Sequence, residues 1–234
     1  MEELNILFED NHIIVVLKPQ NVPSCEDSSG DKDMLTMVKE YIKTTYNKPG
    51  NVYVGLVHRL DRPTGGVMVF AKSSKAAARL SDQLKTGDFE KRYYAILTGE
   101  PKQEKATLVH YLKKNAVNNM VYVCPPTTEG AKMASLEYRI VEKNQGLSLA
   151  EIRLHTGRSH QIRVQMAEIK TPVFGDVKYG GDILAKGHNL ALWAYELSFI
   201  HPTTKKPMLF KCLPPTDLVP WTVFKKEIEI KQNI

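Results

Sequence analysis

Between Tyr93 and Leu154 the chain passes through five runs of strand-forming residues: Tyr93 to Leu97, Thr107 to Leu112, Met120 to Cys124, Ala134 to Glu142 and Leu147 to Leu154. The clusters of Asn, Pro and Gly that divide them suit the turns of antiparallel connections. Long antiparallel runs interrupted by a few helices predict an α+β fold rather than a βαβ repeat.

The flanking segments supply the helices and further strands. Asn5 to Phe8 and His12 to Leu17 are apolar runs joined at Glu9-Asp10-Asn11, a hairpin that ends at Lys18-Pro19, and Ser24 to Lys32 reads as loop. Asp33 is placed to cap a helix through about Tyr46 with Leu35, Val38 and Ile42 on one face, stopped at Asn47-Lys48-Pro49-Gly50. Strands are expected over Val52 to Leu60 and Val67 to Ala71. A second helix starts at Ser74, with a stripe of Ala77, Leu80 and Leu84 and Gly87 suited to its C-terminal cap. A third is expected from Ser159 to Lys170, with Ile162, Met166 and Ile169 toward the core and His160 and Arg163 on a neighbouring face. Strands return at Leu190 to Phe199 and Pro207 to Lys211, and the chain closes with Thr216 to Phe224 around Pro220.

A chain of 234 residues buries about 70–75% of its unfolded surface on folding, enough for a core without a metal or disulfide. Cys25, Cys124 and Cys212 are odd in number and far apart, which suggests neither a disulfide framework nor a zinc site and fits a reducing cytosol. The start, Met1-Glu2-Glu3-Leu4-Asn5, lacks the basic and apolar regions of a signal peptide, and the longest aliphatic run, Ile13 to Leu17, is far short of a membrane span. A cytoplasmic protein without a membrane partner is expected. The 32 Lys and Arg against 26 Asp and Glu leave a net charge of +6, which favours a polyanionic partner without naming one. The basic residues are scattered, so a phosphate-tracking surface would have to be assembled by folding.

The densest chemistry lies in His58-Arg59-Leu60-Asp61-Arg62-Pro63-Thr64-Gly65-Gly66, one carboxylate between two arginines where one apolar run gives way to another. Taken alone it is a turn: Asp accepts backbone hydrogen bonds, Pro fixes φ and the glycines allow positive φ. Three other segments stand out: Lys91-Arg92-Tyr93-Tyr94-Ala95, Thr156-Gly157-Arg158-Ser159-His160-Gln161-Ile162-Arg163-Val164-Gln165, and Pro172-Val173-Phe174-Gly175-Asp176-Val177-Lys178-Tyr179-Gly180. In isolation the first is a strand with two packing tyrosines, and Arg163 a solvated helix residue.

Together, and in this order, these segments resemble the motifs of the RluA family of RNA pseudouridine synthases: HRLDxxTSG, K-x-Y-x-A, TGRxHQIRVH and P-x-x-GD-x-x-YG. The likeness spans residues 58 to 180, extends more weakly to Lys18-Pro19 before it and to Leu190 through Pro202 after it, and departs at Gly65, where the family usually has Ser, and at Gln165, where it usually has His. The resemblance implies the pseudouridine synthase fold, a mixed sheet in two halves with flanking helices and a central RNA cleft, formed here as a single catalytic domain over residues 1–234. Many relatives carry an additional N-terminal RNA-binding domain of the S4 type. Here the first strand begins almost at Met1, and none is expected.

The implied reaction isomerises specific uridines to pseudouridine in structured RNA, ribosomal or transfer RNA. It is redox-neutral, and no cofactor and no metal is expected. Asp61 would be the carboxylate that attacks covalently or stabilises a cationic sugar, two roles the sequence leaves open. Arg163 would be the cation that favours its ionised form. Tyr93 would stack on the flipped uracil and help remove the C5 proton, leaving Tyr94 on the opposite face of its strand. Arg59 would fill the gap left by the extruded base, while Arg62, Lys91, Arg158, His160 and Lys178 are candidate RNA contacts. The N–H groups of Thr156 to Ser159, ahead of a helix, would suit a phosphate or Asp61 itself. A monomer is expected. The rival readings are an RNA-binding chaperone on the same scaffold and, more distantly, a base-releasing hydrolase, which would need two carboxyl groups and a placed water. His155 and His160 have the wrong spacing for a helical zinc site, and Thr64 to Val67 lacks the ending of a nucleotide-binding loop.

Overall fold

The computed structural model describes residues 4–180 and 187–230. In chain order the elements are β1 (Ile6–Glu9), β2 (Ile13–Lys18), α1 (Met34–Thr45), β3 (Gly55–Leu56), β4 (Gly65–Ala71), α2 (Ser74–Thr86), β5 (Glu90–Thr98), β6 (Lys105–Lys114), β7 (Val121–Cys124), β8 (Lys132–Asn144), β9 (Leu147–Leu154), α3 (Gln161–Glu168), β10 (Leu192–Ile200), β11 (Pro207–Lys211), a 3-10 turn (Trp221–Phe224) and α4 (Lys225–Ile230). This is an α+β fold built on mostly antiparallel strands. Two compact units share it: residues up to Lys91 with Ala194–Cys212 form the first, and Arg92–Trp193 with the residues from Leu213 onward form the second. No helix among the described residues is long and apolar enough to cross a membrane.

The first unit orders its strands β1-β2-β4-β10, with β11 on β10 and β3 on β4. The register Ile13↔Ala71 through Lys18↔Gly66 sets alternate, mostly β-branched side chains of β2 and β4 on one face. There Ile13, Val15, Val67 and Val69 meet Leu80 of α2 and Leu197 and Phe199 of β10. Fully burying one such side chain is worth about 1.5–3 kcal/mol. Both helices of this unit begin as their caps require: Asp33 Oδ1 accepts from Thr36 N at 3.1 Å, and Ser73 Oγ from Ala76 N at 3.2 Å. Gly87 closes α2 at φ +89°, its N–H bonded to Gln83 O. The buried face of α1 is Met34, Met37, Val38 and Ile42, one position round from the expected stripe at its N-terminal end.

The second unit is the antiparallel order β5-β9-β8-β6-β7, with Tyr93 opposite Ile152 and Tyr94 opposite Glu151. Leu112, Val121 and Ala134 of its sheet pack against Val164 of α3.

Three expectations need correction. The strand read over Val52 to Leu60 shrinks to Gly55–Leu56, because beyond it backbone groups turn to side chains: Leu60 N donates to Ser24 Oγ at 3.0 Å. The third helix begins at Gln161 instead of Ser159, since His160 sits at φ +51°. The chain past Phe224 forms α4, a six-residue helix too short to show a period in sequence.

Candidate active site

Asp61 belongs to the first unit, in the loop between β3 and β4. The turn read from sequence is present, with Thr64 N donating to Asp61 O at 2.9 Å. The loop's backbone is fastened from the segment after β2. Ser24 Oγ donates to Leu60 O at 2.7 Å and accepts from Leu60 N. Gln20 Nε2 donates to Pro63 O at 2.9 Å, and Lys18 Nζ to Arg62 O at 2.9 Å. The backbone on both sides of Asp61 is thus fastened by side chains from the segment after β2. Downstream, Gly66 has φ +128°, and a Cβ there would lie 2.3 Å from Ala194 O, so β10 can approach β4 only where β4 lacks a side chain.

Lys18, which the sequence reading places at the end of the first hairpin and gives no part in the site, lies against this loop. It is fully buried, and besides Arg62 O its ammonium donates to Pro19 O at 2.9 Å and Val22 O at 2.5 Å. Burial pushes its pKa down to about 7, the Asp61 charge opposes that fall and the Arg62 charge adds to it. The available signal was a lysine ending an otherwise aliphatic strand, Ile13-Ile14-Val15-Val16-Leu17-Lys18.

The arginines around Asp61 differ. Arg59 stands exposed. Arg62 turns to the Ser24–Lys32 loop, donating to Asp31 Oδ2 and to Asn21 O at 3.1 Å, with Asp27 3.7 Å away. His58 is buried, and its Nε2 accepts from Val69 N at 3.2 Å. Burial, then the charge of Lys91, depresses its pKa to about 3, so the ring stays neutral. Lys91 is itself pushed below the usual lysine range by burial, a more embedded setting than a phosphate contact read from sequence would suggest.

The second unit holds Tyr93, buried on β5, and a cluster around Arg163. Arg163 is buried and not a solvated helix residue. Its Nε donates to Asp176 Oδ2 at 2.8 Å and its Nη2 to Asp176 Oδ1 at 2.7 Å, a bidentate fork. The guanidinium also lies 5.1 Å from the Tyr179 ring centroid. Asp176 Oδ1 accepts further from Lys178 N at 3.0 Å and Tyr179 N at 3.1 Å, so the Gly-Asp-x-x-Tyr-Gly segment folds around the carboxylate that grips Arg163. Gly175, at φ +78°, is confined by Asn189 O 2.3 Å from where its Cβ would stand. His160 Nδ1 meets Tyr179 Oη at 2.7 Å, and Lys178 Nζ donates to Asn119 O at 2.7 Å. The structure thus gathers His160, Arg163, Asp176, Lys178 and Tyr179. Arg158 stands apart from them, its Nε donating to Met133 O at 2.9 Å.

Of the N–H groups ahead of α3, expected to suit a phosphate or Asp61, two have partners within the protein: Arg158 N donates to Gln161 Oε1 at 3.0 Å and Thr156 N to Ser135 O at 3.2 Å. The buried Gln161 side chain also ties the turn to β8, its Nε2 reaching Ser135 O at 3.0 Å. Gln165, the departure from the family motif, is fully buried, with Nε2 on His110 Nδ1 at 3.0 Å and on Leu108 O at 3.3 Å. It fastens α3 to β6.

A family model described as RNA pseudouridylate synthase matches residues 12–168. Among curated proteins, the chain is 32% identical over 228 residues to ribosomal large subunit pseudouridine synthase D of Xanthomonas campestris, covering 92% of this chain and 67% of that protein. It is 34% identical over 218 residues to the uncharacterized RNA pseudouridine synthase YjbO of Bacillus subtilis, covering 92% and 74%. Among solved structures, human RNA pseudouridylate synthase domain containing 4 superposes with a TM-score of 0.77 at 21% identity, over 96% of this chain and 93% of that one. Human RNA pseudouridylate synthase domain containing 1 gives 0.71 at 23% identity, over 94% and 86%. The fold expected from the motifs is the fold these structures share.

Proposed function

Because the chain belongs to the RluA family of RNA pseudouridine synthases, we propose that it isomerises uridine in a structured ribosomal RNA through the Asp61 carboxylate, without a cofactor. The N1–C1′ bond of the target nucleotide breaks, the uracil turns while bound, C5 joins C1′ and gives up its proton, and the freed N1 takes one up. Asp61 either attacks or shields the electron-poor centre that forms in between, and both versions need a carboxylate fixed in advance. The observation that carries this reading is the fastening of Leu60, Arg62 and Pro63 on either side of Asp61. Tyr93 and Arg163 take the roles their motifs imply: a ring for the uracil and its C5 proton, and a fixed guanidinium that favours anionic charge. Arg59 replaces the extruded base, and Arg62, Lys91, Arg158, His160 and Lys178 are the candidate RNA contacts. The large-subunit name of the Xanthomonas relative supports ribosomal over transfer RNA as the substrate. A cytoplasmic location and a monomeric state belong to the same proposal.

RNA tritiated at uracil C5 tests it. Release of tritium by the wild type and none by Asp61→Ala is expected. No release from any cellular RNA would overturn the reading, and free uracil among the products would replace it with a hydrolase.

A further inference from the structure

We propose that His110 is a further RNA-contacting residue, a neutral imidazole that Gln165 orients so that its Nε2–H meets a backbone oxygen of the substrate. The inference deepens the reading of the chain as an RNA-modifying enzyme and rests on it. Gln165 is fully buried on α3, and its Nε2 lies 3.3 Å from Leu108 O, 3.4 Å from Ala134 O and 3.0 Å from His110 Nδ1. The two carbonyls decide which end of the amide faces β6 and β8, because its oxygen would be repelled there. An amide nitrogen only donates, so His110 Nδ1 accepts and the neutral ring carries its proton on Nε2. His110 is half-buried. Its Nε2 is not sealed from solvent, and no hydrogen bond or ion pair engages it among the described residues.

The placement suits RNA. His110 stands opposite Ala134 of β8, whose side chain packs with Val164 of α3. Further along β8, Tyr138 stands opposite Ile152 of β9, and Ile152 opposite Tyr93 of β5. Even steps along a strand keep one face, so His110 and Tyr93 share a face of the second unit's sheet. From β5 across β9 and β8 to β6, the strand spacings and the rise from Ala106 to His110 set the two residues about 20 Å apart. That is roughly six steps along one strand of a duplex, so the contact falls outside the reacting nucleotide. Arg158 is exposed and donates to Met133 O, beside Ala134, which puts a cation next to the same stretch of β8. A residue kept only to fasten α3 to β6 could be apolar. Gln165 instead leaves its Oε1 buried without a partner while its Nε2 orients the ring.

The test uses two amides that each mimic one ring nitrogen. His110→Asn keeps an acceptor near the place of Nδ1 for Gln165 and loses the outer N–H, whereas His110→Gln keeps a donor near the place of Nε2 and loses the inner acceptor. Affinity for transcripts of large-subunit ribosomal RNA and of transfer RNA is measured at about pH 8, where histidine is neutral, together with thermal melting and the nitrogen chemical shifts of the His110 ring. We expect His110→Asn to melt like wild type and to bind the preferred RNA about 10-fold more weakly, the scale of one hydrogen bond to a charged group, and His110→Gln to melt lower yet bind within about threefold of wild type. The wild-type ring should carry its proton on Nε2, and that N–H signal should shift when RNA is added. His110→Asn binding as tightly as wild type overturns the proposal, and so does a ring protonated on Nδ1. If the variants do not fold, the wild type decides, because an Nε2–H signal unmoved by saturating RNA also overturns it. Wild-type protein with no affinity for either RNA would instead remove the reading of RNA as substrate on which the proposal stands.

Discussion

Arg163 and Asp176 form a bidentate ion pair, 2.8 Å from Nε to Oδ2 and 2.7 Å from Nη2 to Oδ1, with both side chains buried. The pair explains why a motif of the form Gly-Asp-x-x-Tyr-Gly accompanies the helix that bears the arginine. A guanidinium in a buried place needs an anion beside it, and the turn that supplies the anion also supplies Tyr179 as a flat neighbour.

Asp176→Asn should destabilise the protein by about 3–5 kcal/mol, because it strands the Arg163 charge in a buried site. Arg163→Lys should also destabilise, since an ammonium cannot fill both arms of the fork. Denaturant melts of the two single variants and the double Arg163→Met/Asp176→Leu check this. The double should be the most stable of the three.

His58 gives stability a specific acid limit. Its folded pKa of about 3 lies below the ordinary 6.5, so as pH falls the unfolded chain takes up the proton first. Its contribution is complete above about pH 6.5 and is lost progressively toward pH 3, up to about 5 kcal/mol in total. Melting temperature against pH should fall less steeply over this range for His58→Gln than for wild type.

Two glycines with positive φ should respond differently to the same change. Gly66→Ala places a methyl carbon 2.3 Å from Ala194 O and 2.6 Å from Ala194 N, so β4 and β10 must separate, and a loss of more than about 3 kcal/mol or insoluble protein is expected. Gly87→Ala meets nothing within 4 Å and should lose only about 1–2 kcal/mol, the strain of a left-handed alanine. Parallel thermal melts separate the cases.

Arginine substitutions near Asp61 should rank by their present partners. Arg59 is exposed, and Arg59→Gln should weaken RNA binding and lower the slope of log affinity against log salt by about 0.7–0.9 if it meets one phosphate. Arg62 is engaged by Asp31 and Asp27, and Arg62→Gln should change the slope less. Titrations at several salt concentrations distinguish them.

The elements were legible where local chemistry decides them. The Asp33 cap, the Ser74 start and Gly87 close of α2, and the strands from β5 to β9 follow from side chains acting on their own backbone neighbours. Errors fell where a distant group intervened. Val52 to Leu60 has the composition of a strand, but Ser24 takes the Leu60 N–H that a ladder would need. Ser159 looks like a helix start, but His160 adopts a left-handed backbone and Gln161 Nε2 reaches across to Ser135 O, 26 residues away.

The candidate site divides the same way. Asp61, Tyr93 and Arg163 were singled out by the resemblance of their segments, in order, to the family's motifs; each segment taken alone reads as a turn, a packed strand or a solvated helix face. Only the folded structure shows that Arg163 is held by Asp176, that Arg62 faces the Asp27 and Asp31 loop, and that a lysine 44 residues away is bonded to the carbonyl next to Asp61. A side chain's type and neighbours in sequence fix what it can bond to. Which partner it meets depends on segments far apart in the chain packing together, and that is a property of the fold.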